Sequence, residues 1–193
     1  MARFLLLGLG NPGDQYTETR HNAGWLMLDY LLEKWADPSI PLMWRHEKKL
    51  QSLVARIQYG GHDIFTIKPQ TFMNRSGEAA RDAAEWYLEL DFETPPREIP
   101  QLIVLHDDLD IEAGKYKLQF GSGPKQHNGL NSIRQQLKTE EFWTARLGVD
   151  SREGDRSMPG DAYVLQRFSP PEKQQLKEIT PHLSEELFYH VLQ

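Results

Sequence analysis

Five polar clusters in this 193-residue chain carry side chains able to do chemistry: Asn11; Arg20-His21-Asn22; Thr71-Phe72-Met73-Asn74; His106-Asp107-Asp108-Leu109-Asp110; and His127-Asn128-Gly129, which follows the glycine-rich Gly121-Ser-Gly-Pro. Three chemistries could use them. A Ser-His-Asp hydrolase needs a presented serine, and the chain has no G-x-S-x-G elbow. Ser76, in Asn74-Arg-Ser-Gly, reads as a helix N-cap instead. A divalent metal could use His106, Asp107, Asp108 and Asp110, yet no His-Glu-x-x-His or other zinc spacing occurs. The third chemistry is a His–Asp dyad that activates water, with asparagine side chains positioning a substrate. On spacing alone, His21 reads better as a residue capping the helix that starts near Asn22.

The first cluster sits in GLGNPG, residues Gly8–Gly13. Read literally, this is G-x-G-x-x-G after an apolar strand, the fingerprint of a dinucleotide site. That reading requires the helix to begin inside the motif, with its free N–H groups facing a pyrophosphate. Pro12 has no N–H to give. The helical apolar period begins only with Ala23, Leu26, Met27, Tyr30, Leu31 and Trp35, roughly nine residues too late. The acidic residue expected about 20 positions on would be Glu33, which falls inside that helix. The loop shape remains, but its payload must be something other than a nucleotide.

The elements that must position these clusters alternate between strand and helix. Phe4–Leu7 and Leu102–Leu105 are short apolar runs of the kind buried on both faces. Leu53–Tyr59 and Ile64–Lys68 flank the hairpin signal Gly60-Gly61-His62-Asp63. A helix follows Ser76, and residues 91–100, with three prolines, form a connector. Lys115–Phe120 and Ala145–Val149 read as strands and Asn128–Leu137 as a helix. Two closing helices from about residue 170 are separated at Pro181. The expectation is an α/β fold: a single domain over residues 1–193, built on a mixed twisted sheet flanked by helices. Asn11 and Asp107, each following a buried strand, should share one edge of that sheet, where open α/β sheets bind ligands.

Composition narrows the function classes. The chain has no cysteine, which excludes disulfides and thiolate chemistry and fits a cytoplasmic location. After Arg3 the apolar run Phe4–Leu7 has only four residues before Gly8, too few for a signal peptide, and no run is long enough to span a membrane. A net charge of −6 argues against a general nucleic-acid binder. Residues 115–146, however, hold six basic side chains (Lys115, Lys117, Lys125, Arg134, Lys138, Arg146) against Glu140 and Glu141, which leaves −10 on the remainder. Such a patch is either a solvated face or a local phosphate site on an otherwise repelling surface.

The segments GLGNPGDQYTETRHNAGW, KPQTFMNRSG, HDDLDIEAG and HNGLNSI, in that order, resemble the bacterial-type peptidyl-tRNA hydrolase family, over residues 4 to about 168. The resemblance implies a monomeric enzyme that needs no metal or other cofactor. It would cleave the ester joining a peptide to the 3′ end of tRNA and so recycle tRNA from stalled translation. It makes His21 the general base and Asp107 its partner, and Asn11, Asn74 and Asn128 the substrate-positioning amides. Tyr16 and Phe72 match positions that contact the tRNA end, although Phe72 taken alone could be a core aromatic, and Met73 should line the pocket wall. The alternative is a non-catalytic tRNA-binding relative, which would lose the dyad that this chain retains.

This chain departs from the family pattern in three places. Lys125-Gln126 stands where a Gly-Gly pair is usual, which should alter the gating of that loop. Of the two cations that grip the tRNA 5′-phosphate in the acceptor stem, Arg146 matches one, while the other position is Gln119. Lys117 or Lys125 is expected to replace the lost cation. Asp150 stands where glycine is common.

Overall fold

The computed structural model describes residues 1–192. Its elements in chain order are β1 (Arg3–Gly8), α1 (Ala23–Trp35), β2 (Arg45–Glu47), β3 (Ser52–Tyr59), β4 (His62–Pro69), α2 (Ser76–Leu88), β5 (Ile99–Glu112), β6 (Tyr116–Phe120), α3 (Asn128–Leu137), β7 (Phe142–Asp150), α4 (Gly160–Val164), α5 (Pro170–Glu178) and α6 (Thr180–His190). The strands form one mixed seven-stranded sheet in the order β2-β3-β4-β1-β5-β7-β6. β4, β1, β5 and β7 run parallel at its centre, and the antiparallel β2–β3, β3–β4 and β6–β7 ladders complete the two sides.

The unbroken apolar runs have a direct cause. Side chains alternate across a strand, and both faces of this sheet are covered. Phe4 and Leu6 of β1 join the core under α1, α5 and α6, where Met27, Leu31, Leu176 and Leu187 pack. Leu5 and Leu7 join the opposite core, with Ala80, Ala83, Leu130 and Ile133 of α2 and α3. Each fully buried leucine contributes about 1.5–3 kcal/mol of hydrophobic stabilisation.

The glycines of GLGNPG are required by packing. A Cβ on Gly8 would lie 2.5 Å from the Gly24 carbonyl oxygen, and one on Gly10 would lie 2.8 Å from the Trp25 ring. Both therefore let α1 press against the end of β1. Two expectations need correction. The N-cap of α2 is Arg75, not Ser76, whose buried hydroxyl has no partner. β5 also does not stop at Leu105. It continues to Glu112 because β7 keeps pairing with it, His106 opposite Arg146 and Asp107 opposite Leu147. The fourth and longest polar cluster is thus part of a strand, not a loop after one.

Candidate active site

β1 ends at Gly8, opposite Leu105, while β5 runs on. Asp107 consequently lies two residues beyond the last β1–β5 pair, on a stretch of strand with no neighbour on that side. Two turns reach over this gap from opposite sheet faces: the 3-10 turn Arg20–Asn22 that leads into α1, and the residues that begin α3.

Both deliver an imidazole to Asp107. His21 Nδ1 lies 2.9 and 3.1 Å from the two Asp107 oxygens, and His127 Nε2 lies 3.0 Å from Oδ1. An ionised carboxylate only accepts, so both ring nitrogens facing it donate. His127 caps α3 as well, its Nδ1 accepting the Leu130 N–H at 3.3 Å. With one nitrogen accepting and the other donating, His127 is held as the neutral Nε2–H tautomer. His21 Nδ1–H points to Asp107, and its Nε2 is left free to act as a base.

The electrostatics follow from this arrangement. Burial works to raise the Asp107 carboxyl, but the two imidazoles outweigh it and hold the group below the ordinary carboxylate range. Burial works to lower His21, but the Asp107 charge and hydrogen bond outweigh it, so its pKa sits above the ordinary value. His106, fully buried on the same strand, donates Nδ1–H to the Asp107 carbonyl at 2.8 Å. Burial, and then the neighbouring His127, push its pKa down to about 3, so it stays neutral. Among the described residues, His21, Asp107 and His127 also form the one group whose ligand atoms lie close enough together (within 4.8 Å) to hold a metal ion. The metal-ligand set considered from sequence, His106 to Asp110, does not converge in this way.

This dyad opens into a cleft of about 900 Å³ lined by eight of the ten sequence-predicted site residues: Asn11, Tyr16, His21, Phe72, Asn74, Asp107, Lys125 and Asn128. Asn11 is placed by two amide contacts. The Asn22 side chain accepts from its N–H at 2.9 Å and donates to its carbonyl at 3.0 Å. The Asn11 Oδ1 accepts the Met73 N–H at 2.8 Å, which fixes the amide's orientation and leaves its NH₂ group as a donor for a ligand. Met73 is buried in the cleft wall, as expected. Phe72 is 57% exposed, which eliminates the core-aromatic reading, and it meets Tyr16 edge-on at 6.5 Å. The opposite wall is α4, a helix too short to read from sequence, with Val164 and Leu165.

Lys117 and Arg146 lie outside the cleft, paired across the β6–β7 ladder. The Arg146 guanidinium is committed to Asp108 at 2.6 Å and to the Gln119 Oε1 at 3.3 Å. Gln119 in turn donates to the Ser122 carbonyl. Arg134 Nη1 holds the Pro124 carbonyl at 2.9 Å and Asn131 the Lys125 carbonyl at 3.0 Å. The loop that lacks the glycine pair is therefore tied down at three carbonyls.

His127 is the residue that the sequence reading left out of the site. The His-Asn-Gly triplet carried a signal, but only the fold reveals its bond to Asp107.

The chain is thus an α/β domain with a His–Asp pair at the end of its central strands, facing a cleft of amides and aromatics. The family model described as peptidyl-tRNA hydrolase matches residues 5–193, and the chain belongs to that family. The chain is 40% identical over 174 residues to a peptidyl-tRNA hydrolase of Neisseria meningitidis serogroup C, covering 90% of this chain and 83% of the relative. It is 39% identical over 177 residues to that of Desulfitobacterium hafniense, covering 91% and 85%. The fold matches the crystal structure of peptidyl-tRNA hydrolase from Acinetobacter baumannii with a TM-score of 0.79 at 27% identity, over 98% of this chain and 88% of that one. Among the described residues, no helix is long and apolar enough to cross a membrane.

Proposed function

We propose that the chain is a peptidyl-tRNA hydrolase in which His21 Nε2 takes a proton from water as that water attacks the ester carbonyl joining a peptide to the tRNA 3′ end. The observation that carries this reading is the His21–Asp107 pair, with its free Nε2 facing the cleft. As the proton arrives, Asp107 stabilises the imidazolium and keeps Nδ1–H in place. The carbonyl oxygen gains charge, the C–O bond to the ribose breaks, and the tRNA leaves with its hydroxyl restored. No acyl-enzyme is needed, because an ester is already an activated acyl group. Asn74 and Asn128, exposed on the cleft, suit the peptide backbone, and Tyr16 and Phe72 suit stacking on the terminal bases. The enzyme is expected to act as a monomer in the cytoplasm. The test is hydrolysis of N-acetyl-aminoacyl-tRNA with free aminoacyl-tRNA as control. Release from the blocked substrate only supports the reading, whereas tRNA binding without release would favour a binding relative.

Discrimination between the two substrates falls to Asn11. Carboxylates are not lacking, because Asp110 and Asp161 line the same cleft, so an absent counter-ion does not explain rejection of an ammonium. The donor-only face of Asn11 does: it suits an acyl carbonyl and offers nothing to –NH₃⁺. Asn11→Asp keeps the acceptor for Met73 N–H but removes that donor. Its kcat on the blocked substrate should fall about 10²–10³-fold, the usual cost of one such donor, while the slow reaction of the free form changes little. An unchanged ratio of the two rates would show that Asn11 does not read the acyl group.

Arg146 is paired with Asp108, whereas Lys117 and Lys125 have no acidic partner among the described residues. Neutralising both to glutamine should weaken tRNA binding and lower the slope of log K against log salt by about 2, one per phosphate contact. A salt titration with the parent slope would remove both from the interface.

A further inference from the structure

Arg20, His21 and Asn22 occupy one turn, and each side chain is tied to a different element. Asn22 holds the loop after β1, His21 holds β5, and Arg20 reaches to α5, 152 residues away. The Arg20 contact is the most elaborate of the three. Its Nη2 donates to both Glu172 oxygens at 2.7 and 2.8 Å, Nε donates to Oε1 at 3.2 Å, and Nη1 donates to the Arg167 carbonyl at 3.2 Å. Both side chains are only 8% exposed. The Tyr163 ring of α4 stacks against the Arg20 guanidinium at 4.2 Å, and Arg152 lies 4.6 Å from the same ring.

The backbone repeats the attachment. The Phe168 N–H donates to the Glu18 carbonyl at 2.9 Å and the Arg20 N–H to the Gln166 carbonyl at 3.0 Å, forming a two-residue antiparallel bridge between Thr19 and Arg167. To make it, Glu18 adopts a left-handed φ of 74°, a conformation that a non-glycine residue holds only when its surroundings impose it. Such imposed backbone beside a reacting group is a sign of positioning.

We infer that Arg20, gripped by Glu172, is a positioning residue for the reaction: it fixes the His21 turn and the α4 wall as one body, so that His21 Nε2 meets the ester at a set distance. The inference rests on the reading of His21 as base. Geometry supports it from both ends. Tyr163 lies under Arg20 while its chain neighbours Val164 and Leu165 line the same cleft as His21. Glu172 is itself immobilised, as its Oε2 accepts from both Ser169 N–H and Ser169 hydroxyl at 2.7 Å in a capping box. Burial works to raise the Glu172 carboxyl, but these bonds and those from Arg20 outweigh it and bring its pKa down to about 2, so it is charged throughout the working range.

The test compares Arg20→Lys, which keeps the charge and loses the fork, with Glu172→Gln, which keeps the shape and loses the charge. Each is assayed for kcat and KM on N-acetyl-aminoacyl-tRNA, for deacylated tRNA affinity, and for the ring NMR resonances of His21. We expect kcat to fall about 10- to 100-fold, the cost of a base displaced by an ångström or less. KM and tRNA affinity should stay near the parent values while the His21 Nδ1–H resonance moves. A merely structural pair would lower the melting temperature and leave kcat of the folded enzyme and the His21 resonance unchanged, and that result overturns the inference. So would failure of both variants to fold, which would make the pair a folding element alone. Failure of the underlying reading looks different: His21→Ala itself would keep the parent rate.

Discussion

Replacing His21 by alanine should lower kcat on N-acetyl-aminoacyl-tRNA by about 10²–10⁴, the contribution of a positioned general base, and leave KM close to the parent value. The asymmetry follows from the site. Only the imidazole offers a free ring nitrogen in line with the dyad, since His127 spends both of its nitrogens on Asp107 and Leu130 and His106 is fully buried. On the proposed reading, tRNA is held elsewhere, by the aromatics and the lysines. The pH profile adds a signed check. A base must be neutral to act, so activity rises as pH passes the His21 pKa. Burial lowers that pKa and Asp107 raises it by more, so the acid limb of kcat/KM should fall above the ordinary ~6.5 of a histidine. In His21→Ala that limb should disappear. A reduced rate with the limb intact would point to another base.

Asp107→Asn should cost about as much, roughly 10²–10⁴-fold in kcat, on the precedent of serine proteases in which the equivalent change leaves the histidine in the wrong tautomer. Oδ1 accepts from both His21 and His127, and Oδ2 also faces His21 at 3.1 Å. An asparagine supplies one oxygen and one NH₂, so a donor now faces His21 Nδ1–H. The imidazole relieves the clash by moving its proton to Nε2, the atom that should receive one from water. Loss of the carboxylate also leaves burial unopposed, so the residual activity should show its acid limb at lower pH than the parent. Parent activity in Asp107→Asn would remove the dyad from the mechanism and leave His21 to act alone.

What the sequence made legible was whatever depends on near neighbours. The runs Phe4–Leu7 and Leu102–Leu105, the glycine hairpin and the helix Asn128–Leu137 all announce themselves within a few residues. Pro181, expected at the break between the closing helices, stands in the first turn of α6, just after the break at Ile179. The shared edge of Asn11 and Asp107 followed from strand order alone. Illegible features depend on distant partners. Nothing local says that β5 continues through His106–Asp110, because its continuation is set by pairing with β7. His127 looks like any helix-capping residue until Asp107 is placed against it. Arg146 reads as a free cation until Asp108 closes on it. The glycines of GLGNPG misled for the same reason, since the atoms that require them, the Gly24 carbonyl and the Trp25 ring, belong to the following helix.

The bridge between residues 18–20 and 166–168 also orders events in time. The ribosome delivers His21 first, Asp107 later and Glu172 last of the three, so these parts are present together only once synthesis has passed α5. A nascent chain that stops before about residue 166 holds His21 and Asp107 but not the segment that braces the His21 turn. Copies that terminate before that segment should therefore be inert, and activity should appear only after it has been made.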